Sequence, residues 1–254
     1  MSEEVFNTLT GHRSIREYED KELEDEKIEK IVKAGRQAPF VSQMYSVIME
    51  KGDDIPFGAP VMFTICVDIN KLEVVMEKRD WEITTNDMTL LLFGIQDAAY
   101  MAQNMVVASE SMGLGTCYLG SPIRTAENLK EKYGLPDKVL PVVKLVVGYP
   151  AEDPPTRPRY PLDFVLFEEE YPELSEQQIE EAVDAMDEGY LEEDYYRKLD
   201  AKISLTGEEE DEFSYGDYSW TEHISRKWGQ WYPDLDEQLE ILEACGFDIK
   251  CGDE

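Results

Sequence analysis

The chain is short of cysteine, histidine and basic residues. Its 254 residues include four cysteines and two histidines, and no two of the cysteines form a Cys-x-x-Cys pair. Because structural zinc sites need closely spaced Cys and His ligands, we expect no metal site of this kind. Only 24 Lys and Arg face 56 Asp and Glu, which gives a net charge of −32. Such a charge repels phosphates over most of a surface, so we expect no nucleic-acid partner.

The sequence also lacks long apolar runs. No segment approaches the roughly 20 apolar residues of a membrane-spanning helix, so no membrane association is expected. The first ten residues lack the basic and apolar regions of a signal peptide. We therefore expect a cytoplasmic protein with reduced thiols. Two explanations of the acidic surface stay open, namely adaptation to high salt and ordinary solubility with an acidic carboxy-terminal region.

The pattern of apolar residues predicts a chain of mixed strands and helices. Strands are predicted over 45–50, 61–69, 116–119 and 139–147, and helices over 23–38, 93–112, 127–133, 175–199 and 234–245. The two kinds of element do not alternate strictly, which favours an α+β sandwich over a doubly wound sheet. We expect a single domain over 1–254, in which residues 151–254 form a proline-rich connector, irregular over 153–161, and a helical extension.

One basic run stands out from this acidic background. Residues 11–16 read Gly-His-Arg-Ser-Ile-Arg and precede the first predicted helix. Guanidinium and hydroxyl groups make charge-assisted hydrogen bonds to phosphate oxygens, so the run is typical of an anion site. A second basic spot is Arg157-Pro158-Arg159, which taken alone is explained by pairing with surface carboxylates. Together, the two spots predict two walls of one anion site.

A glycine-rich turn follows the longest predicted helix. Residues 113–121 read Gly-Leu-Gly-Thr-Cys-Tyr-Leu-Gly-Ser. Glycines let a backbone approach a flat ligand without a Cβ in the way, although a helix stop and a strand-end turn would explain them as well. No Gly-x-Gly-x-x-Gly follows a strand and no Walker A pattern occurs, so the motifs for dinucleotides and nucleoside triphosphates are absent.

In order and spacing, these segments resemble the FMN-dependent nitroreductase family, and most closely its flavin reductase and major oxygen-insensitive nitroreductase branch. The matching segments are 11–16, 113–120, 135–136, 147–150, 157–161 and 220–224. The resemblance covers nearly the whole chain. It implies a nitroreductase-like sandwich with a central, mostly antiparallel sheet flanked by helices. It also implies a homodimer with FMN at each of two subunit interfaces.

The resemblance implies roles for individual residues. Arg16 would lie beside N1 and O2 of the isoalloxazine, where a fixed cation stabilises the reduced flavin, and it is the predicted catalytic residue. The residues implied to bind the phosphate and ribityl chain are His12, Arg13, Ser14, Arg157 and Arg159. Further residues implied to contact the cofactor are Ser42, Gln43, Tyr118, Gly120 and Ser121. The small residues Ala98, Ala99, Ala102 and Ala108 of the long helix would pack in the dimer interface.

Three departures from the family pattern bear on activity. Phe40 stands where the family has a small polar residue that touches FMN, and Ser42 or Gln43 would substitute for it. The stretch 51–60 is shorter than in the family. Residues 208–212 are all acidic where the branch has arginines that engage the NADPH phosphate. Because carboxylates repel that phosphate, we expect no strong preference for NADPH.

The sequence therefore predicts an FMN-dependent oxidoreductase. NADH or NADPH would reduce the flavin, which would then reduce a nitroaromatic, a quinone or free flavin in a ping-pong hydride-transfer cycle. The alternative is an FMN-binding carrier or sensor without efficient turnover. A third possibility, an acidic scaffold that has lost the cofactor, is opposed by the basic clusters that the chain retains.

Overall fold

The computed structural model describes residues 3–120, 122–207, 211–230 and 234–249. The chain divides into two compact units, of which the first comprises Met1–Pro155 with Asp234–Glu254 and the second Thr156–Pro233. The single domain over 1–254 stays a prediction. No helix in the described ranges has both the length and the apolar character needed to cross a membrane.

The first unit is built on a four-stranded antiparallel sheet. Its strands are β1 (Tyr45–Lys51), β2 (Val61–Asp68), β3 (Gly115–Leu119) and β4 (Val139–Gly148). They lie in the order β1-β2-β4-β3, and each pairs antiparallel with its neighbours. Strand β2 is buried along its whole length, as its uninterrupted apolar and β-branched sequence leads one to expect. The sheet and its four strands confirm the prediction.

Six helices belong to the first unit. They are α1 (Glu3–Thr10), α2 (Asp25–Arg36), α3 (Asn70–Glu77), α4 (Asp87–Ser111), α5 (Ala126–Tyr133) and α9 (Leu235–Ala244). The sequence did not predict α1 and α3, because neither buries a residue and so neither shows a core-facing stripe. Helix α4 begins six residues before the predicted start, where Asn86 caps it by accepting a bond from the Thr89 amide at 2.9 Å.

Helix α4 packs directly on the sheet. Gly94 permits this, because a Cβ at that position would come within 2.4 Å of Val67 Cγ1 in β2. Ala98 and Ala102 are buried in the core of the chain itself, whereas Ala99 is exposed. The expectation that the alanines form one outer face for a dimer is therefore wrong. The outward face of α4 instead presents larger exposed apolar residues, which are Leu92, Phe93, Ile95 and Tyr100.

The second unit is helical. It contains α6 (Glu176–Glu192), α7 (Tyr195–Lys198) and α8 (Trp220–Gln230). The predicted continuous helix over 175–199 is wrong, because Asp194 adopts a left-handed backbone with φ 51° that ends one helix and begins the next. Ser175 starts α6 with a capping box completed by Gln178. The connector 153–161 has no helix or strand, as predicted.

Candidate functional site

The basic run 11–16 lies along the free edge of β3. The Ile15 amide donates to the Thr116 carbonyl at 2.8 Å, and Ser14 and Thr116 form a parallel bridge. Gly115 allows this close approach, since a Cβ there would come within 2.7 Å of Ile15 Cγ1. The basic run and the glycine-rich turn, which are about a hundred positions apart in sequence, are thereby brought to one edge of the sheet.

His12 is held by a carboxylate from the end of α4. Its Nδ1 lies 2.6 Å from Glu110 Oε1, and the same oxygen accepts a bond from the Thr116 hydroxyl at 2.8 Å. The Glu110 side chain is only 15% exposed. The Glu110 carboxylate therefore orients the His12 ring.

Arg13 and Arg16 have different surroundings. Arg13 donates to the Pro154 carbonyl at 3.1 Å and pairs with Asp153 at 2.9 Å, where the Asp153 side chain is 84% exposed. The Arg16 amide donates to Glu152, but the half-buried Arg16 guanidinium forms no ion pair with any residue that the structure describes. A cleft of about 370 Å³ adjoins the segment, and its lining includes Arg13, Gly113, Gly115 and Glu152. Arg16 thus brings an unneutralised cation to a strongly anionic protein.

Ser14 faces the thiol of Cys117 in β3. Burial raises the pKa of this thiol, while the Arg16 charge and a hydrogen bond with Ser14 oppose that rise. Cys117 is therefore a buried, protonated thiol rather than a nucleophile. The neighbouring Tyr18 hydroxyl is buried and has no hydrogen-bond partner in the described part of the chain, and burial raises its pKa as well.

Ser42 and Gln43 lie in the loop between α2 and β1, and both are exposed. The buried carboxylate of Asp97 in α4 accepts hydrogen bonds from the backbone of this loop. The backbone amides of Val41, Ser42 and Met44 donate to it at 2.6, 3.1 and 3.0 Å. Neither Asp97 nor Glu110 could be predicted as a site residue from the sequence, because nothing local distinguishes them among so many acidic residues.

The glycine-rich turn presents two of the predicted contacts. The Tyr118 hydroxyl donates to Gln103 Oε1 at 3.4 Å, and burial together with Glu110 raises the pKa of Tyr118 to about 12. This phenol is therefore protonated at neutral pH. Apart from its chain neighbours, no heavy atom of the described residues lies within 4 Å of the point where a Cβ on Gly120 would be, so the backbone is open on that side. Ser121 falls outside the described residues.

Arg157 and Arg159 belong to the second unit. Arg157 pairs with Glu193, and its guanidinium lies 3.9 Å from the centre of the Tyr195 ring. The exposed Arg159 donates to the carbonyls of Arg157 and Pro158 at 3.1 and 2.9 Å. The joint anion site that these residues would form with the run 11–16 stays a prediction.

The acidic loop 208–212 is only partly described. Residues 208–210 lie outside the described ranges. Asp211 forms a bidentate salt bridge with the Arg226 guanidinium, at 2.8 and 2.7 Å, and an ion pair with Lys202 at 2.7 Å. These two cations hold the pKa of Asp211 well below its usual range. Asp211 is therefore ion-paired, and the expected lack of a strong preference for NADPH stays a prediction.

Comparison with known proteins identifies the family. The sequence profile of the nitroreductase family matches residues 9–49 and 48–149, which together span more than half of the chain. The chain belongs to the nitroreductase family. A Bacillus subtilis (strain 168) protein named FMN reductase [NAD(P)H] is 30% identical over 97% of this chain and 99% of its own length.

Two further comparisons agree with this result. A Cr(VI) reductase of Pseudomonas sp. (strain G-1) is 33% identical over 77% of this chain and 87% of its own length. The solved structure of B. megaterium NfrA2 superposes with a TM-score of 0.80 at 26% identity, and the match covers 97% of this chain and 99% of that one. The family and the nitroreductase fold predicted from the motifs are thus confirmed.

Proposed function

We propose that this nitroreductase-family protein is an NAD(P)H-dependent FMN oxidoreductase that reduces nitroaromatics, quinones or free flavin. The observation that carries the proposal is the Arg16 guanidinium, half-buried at the edge of β3 with no carboxylate partner among the described residues. On a chain of net charge −32 such a group calls for an anionic partner. The full-length similarity to an FMN reductase supports FMN as that partner.

The residues of the first unit fit FMN. Arg16 has no ion-pair partner among the described residues, and within the same ranges Arg13 pairs with the highly exposed Asp153, which can turn away into water. Gly120 leaves its backbone open to a flat ligand. The donor set therefore matches a phosphate and an electron-rich ring edge.

Each residue has a task in the proposed reaction. Arg13, with His12 oriented by Glu110, would bind the phosphate, helped by Ser14. Arg16 would lie at the N1 and O2 edge of the ring and stabilise negative charge there. Bound FMN would supply the redox chemistry by accepting a hydride from NADH or NADPH and passing electrons to the acceptor. The buried, protonated Cys117 takes no part.

The proposal includes a homodimer in the cytoplasm. Val5, Phe6 and Leu9 make α1 an exposed apolar helix, with side chains 41%, 53% and 46% exposed. The outward face of α4 adds Leu92 and Phe93, at 56% and 41%. Large exposed apolar patches mark interaction surfaces, so these helices would meet a second copy of the chain. The free buried thiols are in keeping with a reducing compartment.

Titration with FMN tests the binding claim. We expect saturable quenching of flavin fluorescence by the purified protein, and a yellow protein after removal of excess FMN. Sedimentation of the wild type and of Phe93→Glu tests the assembly, since a charge on the outward face of α4 should convert dimer to monomer. A wild-type protein that takes up no FMN would overturn the proposed function.

A further inference from the structure

Asp97 is a buried carboxylate for which the proposed reaction has no use. It lies in α4 with an exposed fraction of 0%, and no Lys, Arg or His of the described residues forms an ion pair with it. A buried charge without a partner is costly unless hydrogen bonds replace its water shell. Three backbone amides do so here, all from the loop 39–44.

The two carboxylate oxygens of Asp97 accept hydrogen bonds from different amides. Oδ1 accepts from Val41, and Oδ2 accepts from both Ser42 and Met44. Bonds to an ionised acceptor are about twice as strong as neutral ones. An asparagine would turn one of these acceptors into an N–H donor facing another donor, so only a carboxylate satisfies all three amides.

This anchor fixes which way the loop faces. Its ends, Ala38 and Met44, are buried at 3% and 2%, whereas residues 39–43 are exposed. Gln43 adopts a left-handed backbone with φ 53°, which is unfavourable for a side chain of this type unless the surroundings impose it. Because the flanking amides turn inward to Asp97, the Ser42 and Gln43 side chains remain on the outer surface.

We propose that Asp97 is a positioning residue for the flavin. It holds the loop 39–44 so that Ser42 and Gln43 meet the cofactor, while the hydrogen bonds to its carboxylate from the described residues all come from backbone amides. The inference rests on the proposed function, because it takes FMN as the ligand of that loop. It also gives Phe40 a fixed, half-exposed place beside the cofactor contacts.

The test compares Asp97→Asn with Asp68→Asn. Asp68 is a matched control in the same unit: it is 4% exposed and accepts bonds from the Ser46 hydroxyl and the Lys71 amide, so its side chain bonds to no residue of the loop. We expect Asp97→Asn to raise the FMN dissociation constant about tenfold or more. It should also speed amide exchange at Val41, Ser42 and Met44 and change the visible circular dichroism of bound FMN. Asp68→Asn should lower the melting temperature. It should leave the FMN dissociation constant, the amide exchange of the loop and the circular dichroism of bound FMN unchanged.

The outcomes separate the two claims. Wild-type protein that binds no FMN defeats the proposed function. Wild-type protein that binds FMN, with an Asp97→Asn variant that binds it equally and shows the same dichroism, overturns the role of Asp97. If Asp97→Asn does not fold, amide hydrogen exchange of the wild type, measured with and without FMN, tests the inference instead. FMN should slow exchange across 39–44 further, and unchanged exchange there would overturn the inference.

Discussion

The Nδ1 atom of His12 lies 2.6 Å from Oε1 of Glu110, 98 positions away in sequence. Thr116 donates to the same oxygen, which ties the basic run, the end of α4 and strand β3 together. His12 and Thr116 therefore share one carboxylate oxygen of Glu110, and removal of the imidazole would leave that oxygen bonded to Thr116 alone.

The His12→Ala variant should bind FMN about tenfold more weakly or worse, because it removes the imidazole from the proposed phosphate site and leaves the Glu110 oxygen bonded to Thr116 alone. The double variant His12→Ala with Glu110→Gln should recover part of that loss, since the repelling charge is gone. Fluorescence titration of the wild type, both single variants and the double variant measures the coupling. A double variant that binds no better than His12→Ala would refute this account of the pair.

Arg16 and Arg159 should affect different quantities. Arg16→Ala removes the unpaired cation from the proposed ring edge, so flavin reduction by NADH or NADPH should slow about 100-fold with a smaller change in FMN retention. Arg159→Ala should mainly loosen FMN, since the family resemblance implies that Arg159 binds the phosphate. Stopped-flow reduction rates and FMN dissociation constants of both variants provide the comparison. Equal effects of each substitution on both quantities would contradict the assigned roles.

Phe247 should be a major contributor to the stability of the first unit. It follows α9, is 2% exposed and packs in a cluster with Met44, Val67 and Ile69. Phe247→Ala should lower the free energy of unfolding by about 3–5 kcal/mol, because it empties a filled core position. Urea denaturation measures this. Leu235→Ala at a 61% exposed site of α9 is the control and should cost under about 0.5 kcal/mol. Similar losses in the two variants would show that Phe247 is not part of the core.

His223 should make the second unit less stable in mild acid. Its Nδ1 lies 3.0 Å from the Tyr218 hydroxyl, and burial together with Lys227 lowers its pKa. The folded state thus favours the neutral ring, and this contribution is present above the unfolded pKa of about 6.5. It is lost as the pH falls through the folded value. Melting temperatures from about pH 8 to pH 5 should drop more for the wild type than for His223→Gln. Parallel curves would exclude this contribution.

The sheet could be predicted from sequence because its strands are short apolar runs bounded by turn residues. Val61–Asp68 shows this most clearly, since all its side chains are buried and no competing helical stripe exists. Helix Glu3–Thr10 could not be predicted in the same way, because its 8 residues are fewer than a helical period needs to become clear, although its apolar side chains share one face. The same reasoning joined α6 to α7, because no glycine or proline marks the left-handed Asp194.

Only the basic residues of the first unit's candidate site, and not their carboxylate partners, could be predicted from the sequence. The cations of the run 11–16 could be identified because basic residues are rare in this chain. Their partners could not, since Glu110 and Asp97 are two among 56 acidic residues and gain their roles only when α4 packs against distant segments. Long-range pairing of this kind depends on tertiary structure, which local pattern does not encode.

Anaerobic reduction of the FMN-loaded protein tests the central claim most directly. The account predicts that NADH or NADPH bleaches the visible flavin absorbance and that a quinone or nitroaromatic restores it, with catalytic turnover on repeated additions. A protein that holds FMN but is bleached by neither nicotinamide would contradict the proposed oxidoreductase and would favour a flavin carrier or sensor.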